Sequence, residues 1–206
     1  IKKRTEFGYF YIDKKCFDSE ALQELINDEV IGITSRGIFI AHDIFEEWGV
    51  NHFMSSAWMN KIDIPDFFAN IGSSYLVRRT FRQWLSNEIE ERIESVQSMI
   101  HLATSYSIEP FWRDEIIVSI LHSSYCSKFL IESEKELFAN DSSLLKRIDF
   151  LLQLACKQFD KIVTIEGNDY PIYTPCGLGW QSVIAFLYQH KEKTANIKYL
   201  LNVISD

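Results

Sequence analysis

Residues 30–48 read VIGITSRGIFIAHDIFEEW, and the fold turns on how this run is divided. Val30–Thr34 and Ile38–Ala41 are rich in β-branched and aromatic residues. Between them stands Ser35-Arg36-Gly37, a short glycine-containing turn, so the pair predicts a β-hairpin. From Asp43 the spacing turns helical, with Ile44, Phe45 and Trp48 expected on one apolar face and Asp43 expected to cap the helix. His42 and Asp43 therefore sit at a seam between strand and helix. Upstream, Asp18 or Ser19 can cap EALQELIND, with Leu22, Leu25 and Ile26 along one side. A helix, a hairpin and more helix in that order predict a winged-helix unit over about residues 1–60. TEFGYFYI (residues 5–12) is a β-prone lead-in.

The rest of the chain, about residues 61–206, reads as helix. Pro65 suits a helix start, where its missing N–H costs little. The run from Ser74 to about Ala103 carries Val77, Phe81, Trp84, Leu85, Ile89, Ile93, Val96 and Ile100 at steps of three and four, the strongest helical period in the sequence. Further helices are expected after Pro110, over SKFLIESEKELFAN, and over SSLLKRIDFLLQLACKQF with Ser142 or Ser143 as cap. Others follow from about Trp180 to Gln189 and from Ala195 to Ile204. Residues 162–180 interrupt this rhythm with proline and glycine and read as a loop containing at most a brief extended run. The fold class expected is mainly α: a winged-helix unit with a small β-hairpin, then an α-helical, solenoid-like region of irregular repeats.

Composition supports a folded chain with a sizeable core, since 47% of residues are hydrophobic and 14% aromatic. A net charge of -8 argues against general binding to nucleic acid. Cys16, Cys126, Cys156 and Cys176 are far apart with no CxxC and no zinc-ligand spacing, which suits reduced thiols in the cytoplasm. No apolar run is long enough to cross a bilayer, and none reads as a signal peptide. The chain begins IKKR without Met, and is expected to be an internal piece of a longer protein.

Motifs for self-sufficient catalysis are missing. GxxxxGK[ST], GxGxxG, HExxH, GxSxG and a calcium-binding loop are all absent, so no enzymatic activity is expected of this chain. Cys176 in TPCGLGW would need His190 or His122 as a base, and a tight turn explains the same residues. Arg78, Arg79 and Arg82 share a helix face and are candidates for contact with phosphate or an acidic partner; a solvated face paired with neighbouring carboxylates is the plainer reading. Asp114 and Glu115 in a first turn complement the helix dipole, with Trp112 stapling the helix start. Trp48, Trp58, Trp84, Phe67 and Phe68 read as core.

The sequence Ile40-Ala41-His42-Asp43-Ile44, placed where a winged-helix hairpin runs into a helix, resembles the MHD-type motif of STAND ATPases, the NB-ARC and NACHT-like signalling switches. Alanine stands at the Met position. LVRRTFRQWL (Leu76–Leu85), PFWRDEIIVSILHS (Pro110–Ser124) and PCGLGWQSVIAFL are similar to segments that follow the winged helix in bacterial antiviral STAND proteins. The resemblance implies that His42 reaches the β-phosphate of ADP held by a separate nucleotide-binding domain, while Asp43 fixes the local geometry. An imidazole can donate a hydrogen bond to phosphate, and its protonation responds to added negative charge. The chain itself would carry no cofactor, with ADP or ATP expected in the full-length parent. Its partners would be the nucleotide-binding domain of the same polypeptide, a trigger protein on the helical region, and further copies upon activation. The rivals are a DNA-binding winged-helix regulator, disfavoured by the acidic helix EALQELINDEV and by Arg36 as the wing's single cation, and a helical scaffold with no nucleotide link.

Overall fold

A computed structural model describes residues 11–13, 15, 18–60, 63–105 and 107–193. Residues 5–10, Cys16 and the expected helix from Ala195 to Ile204 lie outside these. The described chain is mainly helical, with antiparallel hairpins at two places. It groups into two compact units, residues 1–84 and 85–206, dividing between Trp84 and Leu85, whereas the sequence suggests a boundary near residue 60.

In the first unit, helix α1 (Ser19–Asn27) starts at Asp18, whose carboxylate accepts hydrogen bonds from the backbone N–H groups of Glu20 and Ala21, each 3.0 Å away. These satisfy two of the donors that a helix start leaves without partners. Strands β1 (Ile31–Thr34) and β2 (Gly37–Ile40) then pair with Ile31 opposite Ile40 and Thr34 opposite Gly37. Gly37 is required at the turn. Its φ is +135°, and a Cβ there would stand 2.6 Å from the carbonyl oxygen of Ile12. Ile12 itself bonds to Ile38 through both backbone groups, at 3.0 Å each, and extends the hairpin by one bridge.

Helices α2 (Asp43–Met59), α3 (Ile64–Ile71) and the first part of α4 (Tyr75–Ile100) build an aromatic core. The rings of Trp58, Phe67, Phe68, Phe81 and Trp84 meet edge-to-face or tilted, with centroids 5.3–6.1 Å apart. Trp84 donates its indole N–H to Ser55 Oγ at 3.1 Å. The buried side of α2 is Glu46, Val50, Met54 and Ala57, not the expected Ile44, Phe45 and Trp48. The first turns of this helix are apolar on more than one side, so period alone cannot choose. Val50, Met54 and Ala57 are the buried set, on a helix that packs against α3.

The second unit forms around α5 (Pro110–Leu121), which is buried along most of its length, from Glu115 to Leu121 and at Trp112. Packed on it are α6 (Cys126–Glu132), α8 (Ser143–Ala155) and α9 (Leu178–Gln189), with the short α7 (Glu134–Phe138) against α8. Gly179 lets α9 approach closely: a Cβ there would be 2.6 Å from the carbonyl oxygen of Leu121. The second part of α4 bends at Arg92, where φ is -150° and ψ is 54°. There the Ser95 hydroxyl donates to the Arg92 carbonyl at 2.8 Å, a side-chain intrusion of the kind that bends helices. Ser142 does not cap α8 as expected, because its φ of +57° turns its side chain away from that role.

The interruption after α8 is the largest departure from expectation. Residues 162–175, expected in a loop with at most a brief extended run, and residues 157–159, expected to end the helix, form a two-stranded hairpin, β3 (Lys157–Ile165) and β4 (Asn168–Pro175). The two residues joining them, Glu166 and Gly167, have φ of +52° and +83°, the combination a tight hairpin turn demands. Cys156, expected within the helix, ends α8 and opens this hairpin.

Candidate functional site

His42 occupies the N-cap position of α2, with extended backbone and no side-chain cap hydrogen bond. Asp43 is the first residue of the helix, so the expected capping role passes to neither side chain. Asp43 and Glu46 instead place carboxylates in the first turn, where the helix dipole favours them. Both His42 and Asp43 are exposed, and the imidazole meets the Phe45 ring edge-on at 5.8 Å.

Beside this seam lies an apolar cleft of about 670 Å³, within the range of ligand and peptide sites. One wall is α2, through Asp43, Ile44, Phe45 and Trp48; the other is the hairpin, with Leu25 and Val30 between. The α2 side chains expected in the core are thus the ones that open onto it: Ile44 is 71% exposed and Trp48 72% exposed. Trp48 stacks on His52 with ring centroids 6.2 Å apart, which holds the indole against its own helix. The cleft is hidden from sequence reading because it uses an apolar stripe that period analysis assigns to a core.

The other candidates fall elsewhere. Arg79 pairs with Glu47 on α2, which accounts for it structurally, while Arg78 and Arg82 are half-buried on α4. Arg36 on the hairpin turn lies over the Tyr11 ring at 5.9 Å. In the second unit, His190 Nδ1 donates to the Phe186 carbonyl oxygen (2.8 Å) and Nε2 faces Glu134 at 3.3 Å, whose carboxyl Lys193 and then His190 hold below the usual carboxylate range. His122 Nε2 is 3.9 Å from the sulfur of buried Cys156, and its Nδ1 lies against Gly177. The thiol of Cys126 is pushed up to about 11 by burial, so it stays protonated. No cluster of His, Cys, Asp and Glu suited to a metal occurs among the described residues, and no helix among them is long and apolar enough to cross a membrane.

Asp114 and Glu115 do not lie in the first turn of α5 as expected, because the helix already starts at Pro110; Asp114 has a different role. Arg147 reaches it from α8 and forks onto the carboxylate, tying two helices together from positions 33 residues apart. No sequence spacing signals such a pair. No protein-family model matches the chain, and no curated protein matches it at a significant level.

Proposed function

We propose that this chain is a non-catalytic relay segment of a STAND-type signalling ATPase, passing nucleotide state and trigger binding on to oligomerisation in the manner of bacterial antiviral STAND proteins. In this reading α1, β1 and β2 belong to a winged-helix unit, and the helices from α5 to α9 begin a repeat-like array that meets a trigger protein. The observation that carries it is the seam: His42 stands exposed where β2 hands over to α2, between Ile40 and Asp43, which line an apolar cleft. Its exposed ring can present an N–H to a phosphate oxygen carried by another domain, and the cleft offers that domain an apolar surface. ADP would then hold the resting arrangement, and loss of the His42 contact would shift the population toward the active one. The nucleotide, when bound, supplies only charge and shape to be sensed; this chain's part is recognition and relay.

The test uses the full-length gene product. His42→Ala should lower the fraction of protein that retains ADP through purification and raise basal oligomerisation, while His42→Gln, which keeps a donor, should lie between. Unchanged ADP retention and unchanged assembly in His42→Ala would overturn the assignment. A plain interaction module is the second reading, favoured by the apolar lining of the cleft. Absence of a P-loop domain from the full-length gene would decide for it.

A further inference from the structure

Three segments meet at the neck of the β3–β4 hairpin: the end of α5 at His122, the end of α8 at Cys156, and the link from β4 to α9 at Cys176. The Cys156 carbonyl oxygen ties two of them together. It accepts the backbone N–H of Cys176 at 2.9 Å and the indole N–H of buried Trp180 at 2.6 Å. The first bond carries the hairpin ladder one step past its last pair, Lys157 with Pro175, and so sets Cys156 opposite Cys176. Opposite residues joined by a ladder hydrogen bond have Cα atoms about 5.5 Å apart and turn their side chains to one face. That separation lies inside the window of about 4.4–6.8 Å in which two cysteines can close a disulfide. Both are thiols in this structure.

The two thiols differ in access. Cys176 is partly exposed, whereas Cys156 is 0% exposed. A reagent from solvent therefore meets Cys176 first, and Cys156 reacts only with a group already inside the fold. The thiolate is the nucleophile in disulfide chemistry, so Cys156 also needs a base at hand. His122 supplies one. Its Nε2 lies 3.9 Å from Cys156 Sγ, and its Nδ1 lies 3.7 Å from where a Cβ on Gly177, the neighbour of Cys176, would stand. With its own proton on Nδ1, the imidazole can take the Cys156 proton at Nε2, and its exposed ring can return that proton to water.

From this we infer that Cys156 and Cys176 are a redox-active dithiol, closed to a disulfide by exchange with a low-molecular-weight disulfide, with His122 as the base for Cys156. Cys176 loses its proton to water and attacks one sulfur of the small disulfide. That S–S bond breaks, and the first small thiolate leaves and takes a proton from water. Cys156 then gives its proton to His122, and its sulfur attacks Cys176 Sγ. The bond between Cys176 and the small molecule breaks, and the second thiolate leaves and is protonated in turn. Two protein thiols are oxidised to one disulfide, and one small disulfide is reduced to two thiols. The new bond fastens the end of α8 to the start of the β4–α9 link. The inference does not depend on a nucleotide link, and its failure would leave the His42 reading untouched.

Glutathione tests it. The folded chain is incubated with graded ratios of oxidised to reduced glutathione, quenched with acid, and mapped by mass spectrometry of its peptides. Wild type should lose the mass of two hydrogen atoms and yield a peptide linked through Cys156 and Cys176. Cys156→Ser should stop at one glutathione on Cys176, and Cys176→Ser should leave Cys156 unmodified. His122→Gln, a change at an exposed position, should slow closure about tenfold or more, with the Cys176 adduct accumulating meanwhile. The adduct shows that the first exchange survives and the second is slowed, which a general loss of structure would not produce. Absence of the Cys156–Cys176 link, its formation only in urea, a link from Cys176 to Cys126 instead, or closure in His122→Gln as fast as in wild type would overturn the proposal.

Discussion

Arg147 on α8 holds Asp114 on α5 with both arms of its guanidinium: Nε lies 2.9 Å from Oδ1, and a terminal nitrogen meets Oδ2. The carboxylate is the more buried partner, while the arginine is 40% exposed and stacks over the Phe150 ring at 5.0 Å. Planar two-point recognition of this kind cannot be copied by an ammonium.

Replacing Arg147 with Ala should therefore cost about 1–2 kcal/mol of unfolding free energy, the upper part of what a half-screened pair can contribute, because Asp114 loses its partner at a partly buried site. Arg147→Lys should recover less than half of that loss. Urea unfolding of the three proteins measures it, and a Lys variant equal to wild type would show that charge alone matters.

Asp149 presents the opposite case. Its side chain is 5% exposed, Oδ2 accepts from Gln153 at 3.2 Å, and Oδ1 has no hydrogen-bond partner. Burial raises its pKa above the ordinary carboxylate value, and the Gln153 bond offsets part of that. The folded chain thus prefers the neutral acid. This preference stabilises the fold fully below the unfolded pKa of about 3.9, and is lost as pH rises through the higher folded value. Asp149→Asn should raise stability at pH 7 by about 1 kcal/mol and flatten the decline in unfolding free energy above pH 4. A variant no more stable than wild type at pH 7, with the same pH slope, would place the cost elsewhere.

These two carboxylates also mark where sequence reading stops. Local signals are legible because they act over a few residues. Asp18 caps α1, Ser35-Arg36 turns the hairpin into Gly37, and the three-and-four spacing from Val77 to Ile100 marks a helical run that the structure forms with a kink at Arg92. Asp114 is expected in a first turn but stands in the second, because α5 starts at Pro110, and its pairing is hidden because Arg147 comes from another helix. Period selects the wrong side of α2 because Ile44 and Trp48 are as apolar as Val50 and Met54. Only packing against α3 separates the two sets. The β3–β4 hairpin escapes notice because Pro171 and Gly167 read as loop residues. The β-branched and aromatic alternation in IVTI and YPIY, around a turn with two positive φ values, is the signal that marks it.

Gly179 should tolerate no side chain. A Cβ at this buried position meets the Leu121 carbonyl oxygen at 2.6 Å, and a backbone atom at the end of α5 cannot swing aside. Gly179→Ala should destabilise the chain by about 1–3 kcal/mol, despite the higher helix propensity of alanine, because α9 must move off α5. Thermal unfolding checks the sign: a rise in Tm would mean that α9 shifts without strain.

The cleft beside His42 makes a prediction in which stability and surface chemistry separate. Ile44 and Trp48 line it yet stand 71% and 72% exposed, so truncating them removes little buried surface. Ile44→Ser and Trp48→Ser should change the unfolding free energy by no more than about 0.5 kcal/mol, the usual range for surface positions. An apolar fluorescent dye that brightens in such clefts should bind wild type and bind the double variant at least severalfold more weakly, because the cleft loses its α2 wall. If the variant unfolds more easily by over about 1 kcal/mol, beyond that surface range, these side chains serve the core after all. If dye binding is unchanged while stability holds, the cleft is not the apolar surface a partner would find.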